Sequence, residues 1–154
     1  MGIITNKRRI GGKRAKFAGA NFESQFANLC GIQSVACVRI PDSCRQLGPH
    51  KLMRVRSPFD YIIAYKGKTA VLDLKSVGDG NFTHSKITLH QLSALNELSV
   101  GAISGYVVGF TLAVYFVPVV ELMCLLPGKS IDLSRCVLLG DRLMFNVRRI
   151  FENN

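Results

Sequence analysis

The chain has 154 residues, of which 48% are hydrophobic, and it carries a formal net charge of +10. This length and apolar content are enough to bury one core of ordinary size, which excludes an intrinsically disordered protein. The five cysteines show no short paired spacing, which excludes a structural zinc site and favours reduced thiols in an intracellular compartment.

The positive charge is concentrated in the first third of the chain. Residues 1–56 carry eleven Lys and Arg against two Asp and Glu, whereas residues 57–154 carry nine against eight. Such a cationic flank favours a polyanionic partner, because phosphate contacts release condensed counterions. Residues 1–18 lack an apolar period and predict a flexible basic arm, followed by one domain over residues 19–154. A solvated leader without a binding role is the alternative for this arm.

The first elements of the domain are a helix and a strand. Asn21 can cap a helix in which Phe22, Phe26 and Leu29 share one apolar face, and Gly31 ends it. Residues 33–40 predict a strand, which a long basic connection follows. The residues expected to contact DNA lie in the arm and in this connection: Lys13, Arg14, Lys16, Arg45, Lys51, Arg54 and Arg56.

The middle of the chain predicts a β-hairpin and a second helix. Residues 59–65 and 69–76 are strand-like runs joined by a short turn, and residues 87–98 carry apolar residues at helical spacing. Two further strands follow over residues 102–110 and 112–119. The tail contains short runs at Val137 to Leu139 and Leu143 to Val147 that fit either strands or a helix. The order of elements predicts an α/β protein with a mixed central β-sheet flanked by helices.

One segment also fits a different class of protein. Residues 100–126 contain no Lys or Arg, and Gly101, Gly105 and Gly109 recur at the spacing found in membrane-helix contacts. Glu121, Pro118 and the break at Gly109 to Thr111 oppose a membrane span. We therefore expect two buried strands here and no association with a membrane.

The residues that indicate chemistry lie on the predicted hairpin. Alternate strand residues share a face, so Asp73 and Lys75 point one way while Leu72 and Leu74 point into the core. A two-residue turn at Lys66 and Gly67 would place Asp60 directly opposite Asp73. A three-residue turn would shift this register.

Two opposed carboxylates repel each other unless a cation lies between them. Oxygen ligands are what Mg²⁺ prefers, with Mn²⁺ as a substitute. Such a cation activates water and polarises a phosphate, and Lys75 could position that water or neutralise charge on the phosphate. The pattern therefore predicts a phosphodiester hydrolase, although the Asp73-Leu74-Lys75 triplet by itself also fits an exposed pair of surface charges.

Pro58-Phe59-Asp60, followed across the hairpin by Asp73-Leu74-Lys75, resembles the PD-(D/E)xK signature of the restriction-endonuclease-like superfamily. Within that superfamily, residues 20–135 resemble RecU-type Holliday junction resolvases through four short stretches: Asn21-Phe22-Glu23, Tyr65-Lys66-Gly67-Lys68, His90-Gln91 and Gly128-Lys129-Ser130-Ile131. The chain departs from that group at Asp73, where Glu is usual, and at Pro58-Phe59. The wider superfamily allows the aspartate.

The resemblance implies a restriction-endonuclease-like fold and a Mg²⁺-dependent endonuclease that resolves four-way DNA junctions as a homodimer. It implies that Asp60 and Asp73 are metal ligands, that Lys75 is the catalytic lysine and that Gln91 is an auxiliary residue. Glu23 would be an additional acidic group that reaches the metal or its water. Residues 43–56 occupy the place of a stalk that projects into the junction. A cytoplasmic location in a bacterium or a phage-infected cell is also implied.

Several alternatives remain open from the sequence. Glu23 also fits a first-turn carboxylate favoured by the helix dipole, and Gln91 also fits a solvated helix residue. The chain could be a restriction or repair nuclease of the same superfamily. It could also be a nucleic-acid-binding protein without catalysis.

Overall fold

The computed structural model describes the backbone of residues 7–152 and the side chains of residues 19–152. The helices are α1 (Lys7–Ile32), α2 (Leu89–Leu98), α3 (Val119–Met123) and α4 (Arg149–Glu152). The strands are β1 (Ala36–Arg39), β2 (Ser43–Gly48), β3 (Lys51–Val55), β4 (Tyr61–Tyr65), β5 (Lys68–Gly78), β6 (Ile103–Phe110), β7 (Ala113–Pro118) and β8 (Val137–Asp141).

Six strands form a mixed central sheet in the order β1-β4-β5-β6-β7-β8. Strands β5 and β6 are parallel, and α2 makes the crossover between them; the other neighbours are antiparallel. Strands β2 and β3 pair with each other outside this sheet. The predicted α/β fold with a mixed central sheet flanked by helices is confirmed.

Helix α1 begins earlier than its sequence predicts. The expected start was Asn21, but the helix runs from Lys7. Once residues 22–30 are packed on the sheet, each residue added toward the N-terminus contributes a hydrogen bond without a new nucleation cost. Residues 1–6 and the side chains of residues 7–18 lie outside the described part, and the predicted DNA contacts of Lys13, Arg14 and Lys16 lie there too.

The basic connection after β1 is a β-hairpin and not an irregular loop. Strands β2 and β3 pair with the register Ser43↔Val55 and Cys44↔Arg54. All residues of β3 are exposed, as are those of β2 before Gly48. Because neither side of this ribbon is buried, no apolar alternation distinguished it from a loop in the sequence.

The turn between β4 and β5 is the predicted two-residue turn. Lys66 and Gly67 both have positive φ angles, of 49° and 78°. Two residues of this kind are what a type I′ hairpin turn requires. Tyr65 therefore pairs with Lys68 and Tyr61 with Leu72, as the sequence predicted.

The sheet separates two hydrophobic cores. On one face, Phe22 and Phe26 of α1 pack with Leu72 and Leu74 of β5. On the other face, Leu95 of α2 belongs to a cluster with buried residues of β5 and β6. Each face of β5 is thus closed by a different helix.

The apolar segment at residues 100–126 forms β6 and β7, as expected. Within the part of the chain that the structure describes, no helix is both long enough and apolar enough to cross a membrane. The ambiguous tail contains β8 and the short helix α4. The second run, Leu143 to Val147, makes an isolated bridge between Gly140 and Phe145 and no strand.

Candidate active site

The register of β4 and β5 brings Asp60 next to Asp73. Asp60 immediately precedes β4, and its backbone N–H donates to the carbonyl of Leu72 at 2.9 Å. The backbone N–H of Leu74 in turn donates to Oδ2 of Asp60 at 2.8 Å. These two bonds fix the Asp60 carboxylate against β5 beside Asp73. The sequence predicted this juxtaposition from the turn alone.

Asp73 is fully buried and forms an ion pair with Lys75. Its Oδ2 lies 2.6 Å from Nζ of Lys75, whose side chain is 26% exposed. Among the described residues, this Oδ2 has no hydrogen-bond partner of normal geometry. A buried carboxylate oxygen without a hydrogen bond is costly and indicates that a further positive ligand belongs there.

Gln91 of α2 connects the two charged residues. Its Nε2 donates to Oδ1 of Asp73 at 2.6 Å, and its Oε1 accepts from Nζ of Lys75 at 3.0 Å. Gln91 therefore contacts the acidic and the basic group together, and it is not simply a solvated helix residue. Its contact depends on α2 packing against β5, which short sequence patterns do not reveal.

Tyr106 of β6 forms the floor beneath Lys75, and the sequence gave no indication of it. Nζ of Lys75 lies 5.2 Å from the centre of the Tyr106 ring, within the range of a cation–π contact. The two residues meet because Asp73 pairs with Tyr106 across the parallel strands β5 and β6. That register follows from the α2 crossover.

Burial raises the pKa of Asp73 to about 7, and the Asp60 carboxylate adds to this rise while the Lys75 ammonium opposes it. Desolvation disfavours the charged form of a carboxyl group, and a neighbouring negative charge disfavours it further. The site therefore resists holding two ionised carboxylates, and a bound cation would remove that resistance.

The oxygen atoms at this site fit a hard divalent cation. Asp60 and Asp73 offer carboxylate oxygens, and the unpartnered Oδ2 of Asp73 lies among them. Such ligands suit Mg²⁺ or Mn²⁺, which usually keep several waters and take only one or two carboxylates from the protein. Among the residues whose side chains are described, no group of three or more His, Cys, Asp or Glu is placed to hold a metal.

The structure does not bring Glu23 into this group. Its Oε2 lies 2.7 Å from Nη2 of Arg39 in an ion pair. Glu23 is on α1, which packs on the face of the sheet that Tyr61 shares, whereas Asp73 contacts α2 on the other face. Adjacent strand residues point to opposite faces, so the sheet lies between Glu23 and Asp73.

The four described residues expected to contact DNA lie on or next to the exposed hairpin: Arg45, Lys51, Arg54 and Arg56. Arg54 forms an ion pair with Asp42 at 2.6 Å. Asp42 also accepts a hydrogen bond from the backbone of Ser57 at 2.8 Å, which joins the two ends of the hairpin segment. That bond and the nearby arginines hold the pKa of Asp42 below its usual value.

No protein-family model matches the chain, and no curated protein matches it. Among solved structures, it is similar to Hjc, a Holliday junction resolvase from the archaeal hyperthermophile Archaeoglobus fulgidus. The TM-score is 0.50, the sequence identity is 14%, and the match covers 67% of this chain and 78% of that chain. At this identity the likeness establishes the fold: the chain has the restriction-endonuclease-like α/β architecture of that resolvase.

Proposed function

We propose that the chain is a Mg²⁺-dependent DNA endonuclease. The observation that carries this proposal is the cluster of Asp60, Asp73 and Lys75, joined by Gln91, on one face of β4 and β5. Two carboxylates with an adjacent lysine are the groups that phosphodiester hydrolysis needs. The basic hairpin beside this cluster supports a nucleic-acid substrate.

In this proposal, Asp60 and Asp73 hold the metal and Lys75 acts on the reacting phosphate. A bound Mg²⁺, or Mn²⁺ in its place, would polarise the phosphate and lower the pKa of a bound water. The Lys75 ammonium neutralises charge that develops on the phosphate oxygens or positions the attacking water. Gln91 keeps the Lys75 and Asp73 side chains in register with each other. The predicted metal role of Glu23 would require Glu23 to leave Arg39.

We further propose that the substrate is a four-way DNA junction, cut by a homodimer. The fold shared with the archaeal resolvase and the position of the basic hairpin support this finer assignment. Two cuts related by symmetry need two active sites, which a twofold dimer supplies. The resemblance to RecU-type resolvases and a cytoplasmic location in a bacterium or a phage-infected cell stay predictions.

The test is to incubate the purified chain and Mg²⁺ with a synthetic four-way junction and with a linear duplex of the same sequence. We expect paired cuts in the junction, slower cleavage of the duplex, and no cleavage after chelation with EDTA or in the D73N variant. Equal cleavage of both DNAs would contradict junction selectivity and favour another nuclease of this fold. Binding without any cleavage, unchanged in D73N, would identify a non-catalytic DNA-binding protein.

A further inference from the structure

A groove of about 670 Å³ lies between helix α1 and the strands β1 and β3. Small residues line it on the side of α1: Gly19, Ala20 and Ala27. Two arginines line its opposite side, Arg39 from β1 and Arg54 from the hairpin. Small side chains on one side and guanidinium groups on the other leave room for a chain of phosphates.

The groove ends beside the candidate active site. Arg39 pairs with Tyr61, and the next residue, Ile40, donates its backbone N–H to the carbonyl of Asp60 at 2.8 Å. Arg39 is therefore one residue away from the strand position that is hydrogen-bonded to Asp60. A polymer bound along the groove would continue directly toward Asp60.

The Arg39 side chain is accessible but already holds an anion. It is 66% exposed and lies 2.7 Å from the carboxylate of Glu23, which is 30% exposed. An exposed ion pair of this kind contributes little to folding. The Glu23 carboxylate thus occupies the position on Arg39 that a phosphate oxygen would take.

The partner of Arg54 differs from the partner of Arg39. Asp42 accepts a backbone hydrogen bond from Ser57 and so is fixed at the base of the hairpin. Among the printed contacts of the described residues, Glu23 pairs with Arg39 only. Glu23 can therefore leave its arginine at a smaller structural cost than Asp42 can.

We propose that this groove binds the phosphodiester backbone of the DNA strand that leads to the active site. Arg39 is the principal phosphate ligand, and Glu23 is an internal competitor that the phosphate displaces. This inference rests on the proposed function only in taking DNA as the ligand. It gives Glu23 a role in substrate binding that needs no metal.

The experiment measures binding of the full chain to a fluorescent DNA duplex by anisotropy, in EDTA, so that neither cleavage nor metal binding contributes. We compare E23Q, R39Q and the double variant E23Q/R39Q with the unmodified chain. The matched control is E97Q, which makes the same charge change on the exposed surface of α2. Thermal melting confirms that each variant is folded.

We expect E23Q to tighten binding about three- to ten-fold, since displacement of an exposed carboxylate no longer opposes the phosphate. We expect R39Q to weaken binding and the double variant to bind like R39Q. The slope of log Kd against log salt should become steeper by about 0.9 in E23Q, which corresponds to one more phosphate neutralised. E97Q should change binding less than two-fold, as is usual for a distant surface charge in salt.

Equal effects of E23Q and E97Q, or an E23Q effect that persists without Arg39, would overturn the groove and leave the nuclease proposal intact. The expected binding pattern in a chain that never cleaves DNA with Mg²⁺ would support the groove and overturn the nuclease. Absence of DNA binding would overturn both.

Discussion

On strand β5, Leu72 and Leu74 face helix α1, whereas Asp73 and Lys75 face helix α2. The first pair joins a core closed by the aromatic rings of Phe22 and Phe26. The second pair is covered by the polar side chain of Gln91, and Lys75 remains partly exposed. The alternation of side chains in a strand lets one segment serve both purposes.

This difference teaches where stability and reactivity are separated. The face toward α1 buries apolar surface, which stabilises the fold. The face toward α2 buries the carboxylate of Asp73, which costs stability unless a cation offsets its charge. Substitutions on the two faces should therefore have opposite consequences for folding and for cleavage.

The largest expected effect is on the α2 face. Replacing Lys75 by Ala should reduce the single-turnover rate of junction cleavage on the order of 10²–10⁴-fold, because the charge beside the phosphate is lost. DNA binding should change only a few-fold. The control is Lys86→Ala, which removes an exposed lysine whose ammonium donates to the carbonyl of Asn81. A comparable loss in both variants would contradict a specific role for Lys75.

The next effect is on the α1 face. Replacing the fully buried Leu72 by Ala should lower the free energy of unfolding by about 2–5 kcal/mol, because it leaves a cavity in the aromatic core. Denaturant unfolding measures this change. Leu89→Ala, at a position that is 75% exposed, should change the same quantity by less than about 0.5 kcal/mol. Equal losses at both positions would mean that Leu72 is not part of a packed core.

The smallest expected effect concerns the pH dependence of stability without metal. Burial raises the pKa of Asp73 to about 7 from its ordinary value of 3.8, so ionisation opposes folding. The stabilisation from the neutral carboxyl is complete below pH 3.8 and is lost as the pH rises through 7.

D73N keeps a neutral side chain at every pH and provides the comparison. In EDTA, the unfolding free energy of the unmodified chain should fall relative to D73N on the order of 1–3 kcal/mol between pH 4 and pH 8. Thermal or denaturant unfolding at several pH values measures the difference. A constant difference across this range would mean that Asp73 is ionised throughout and that its burial is relieved by Lys75 alone.

The sequence by itself determined the hairpin and its polar face. Lys66-Gly67 needs two positive φ angles, and that local requirement selects a two-residue turn and with it the register of β4 and β5. The alternation of Asp73 and Lys75 with Leu72 and Leu74 then assigned the faces. These features could be predicted because they depend on residues close together in the chain.

Only the tertiary structure decided which distant groups meet this hairpin. Gln91 and Tyr106 contact Lys75 because α2 crosses over between parallel strands. Glu23 pairs with Arg39 because α1 packs on the opposite face of the sheet from Asp73. The face on which a helix packs depends on the whole connection between elements, which no local spacing encodes. The sequence therefore determined Asp60, Asp73 and Lys75 as a group, and the packing of α1 and α2 decided that Gln91 joins them and Glu23 does not.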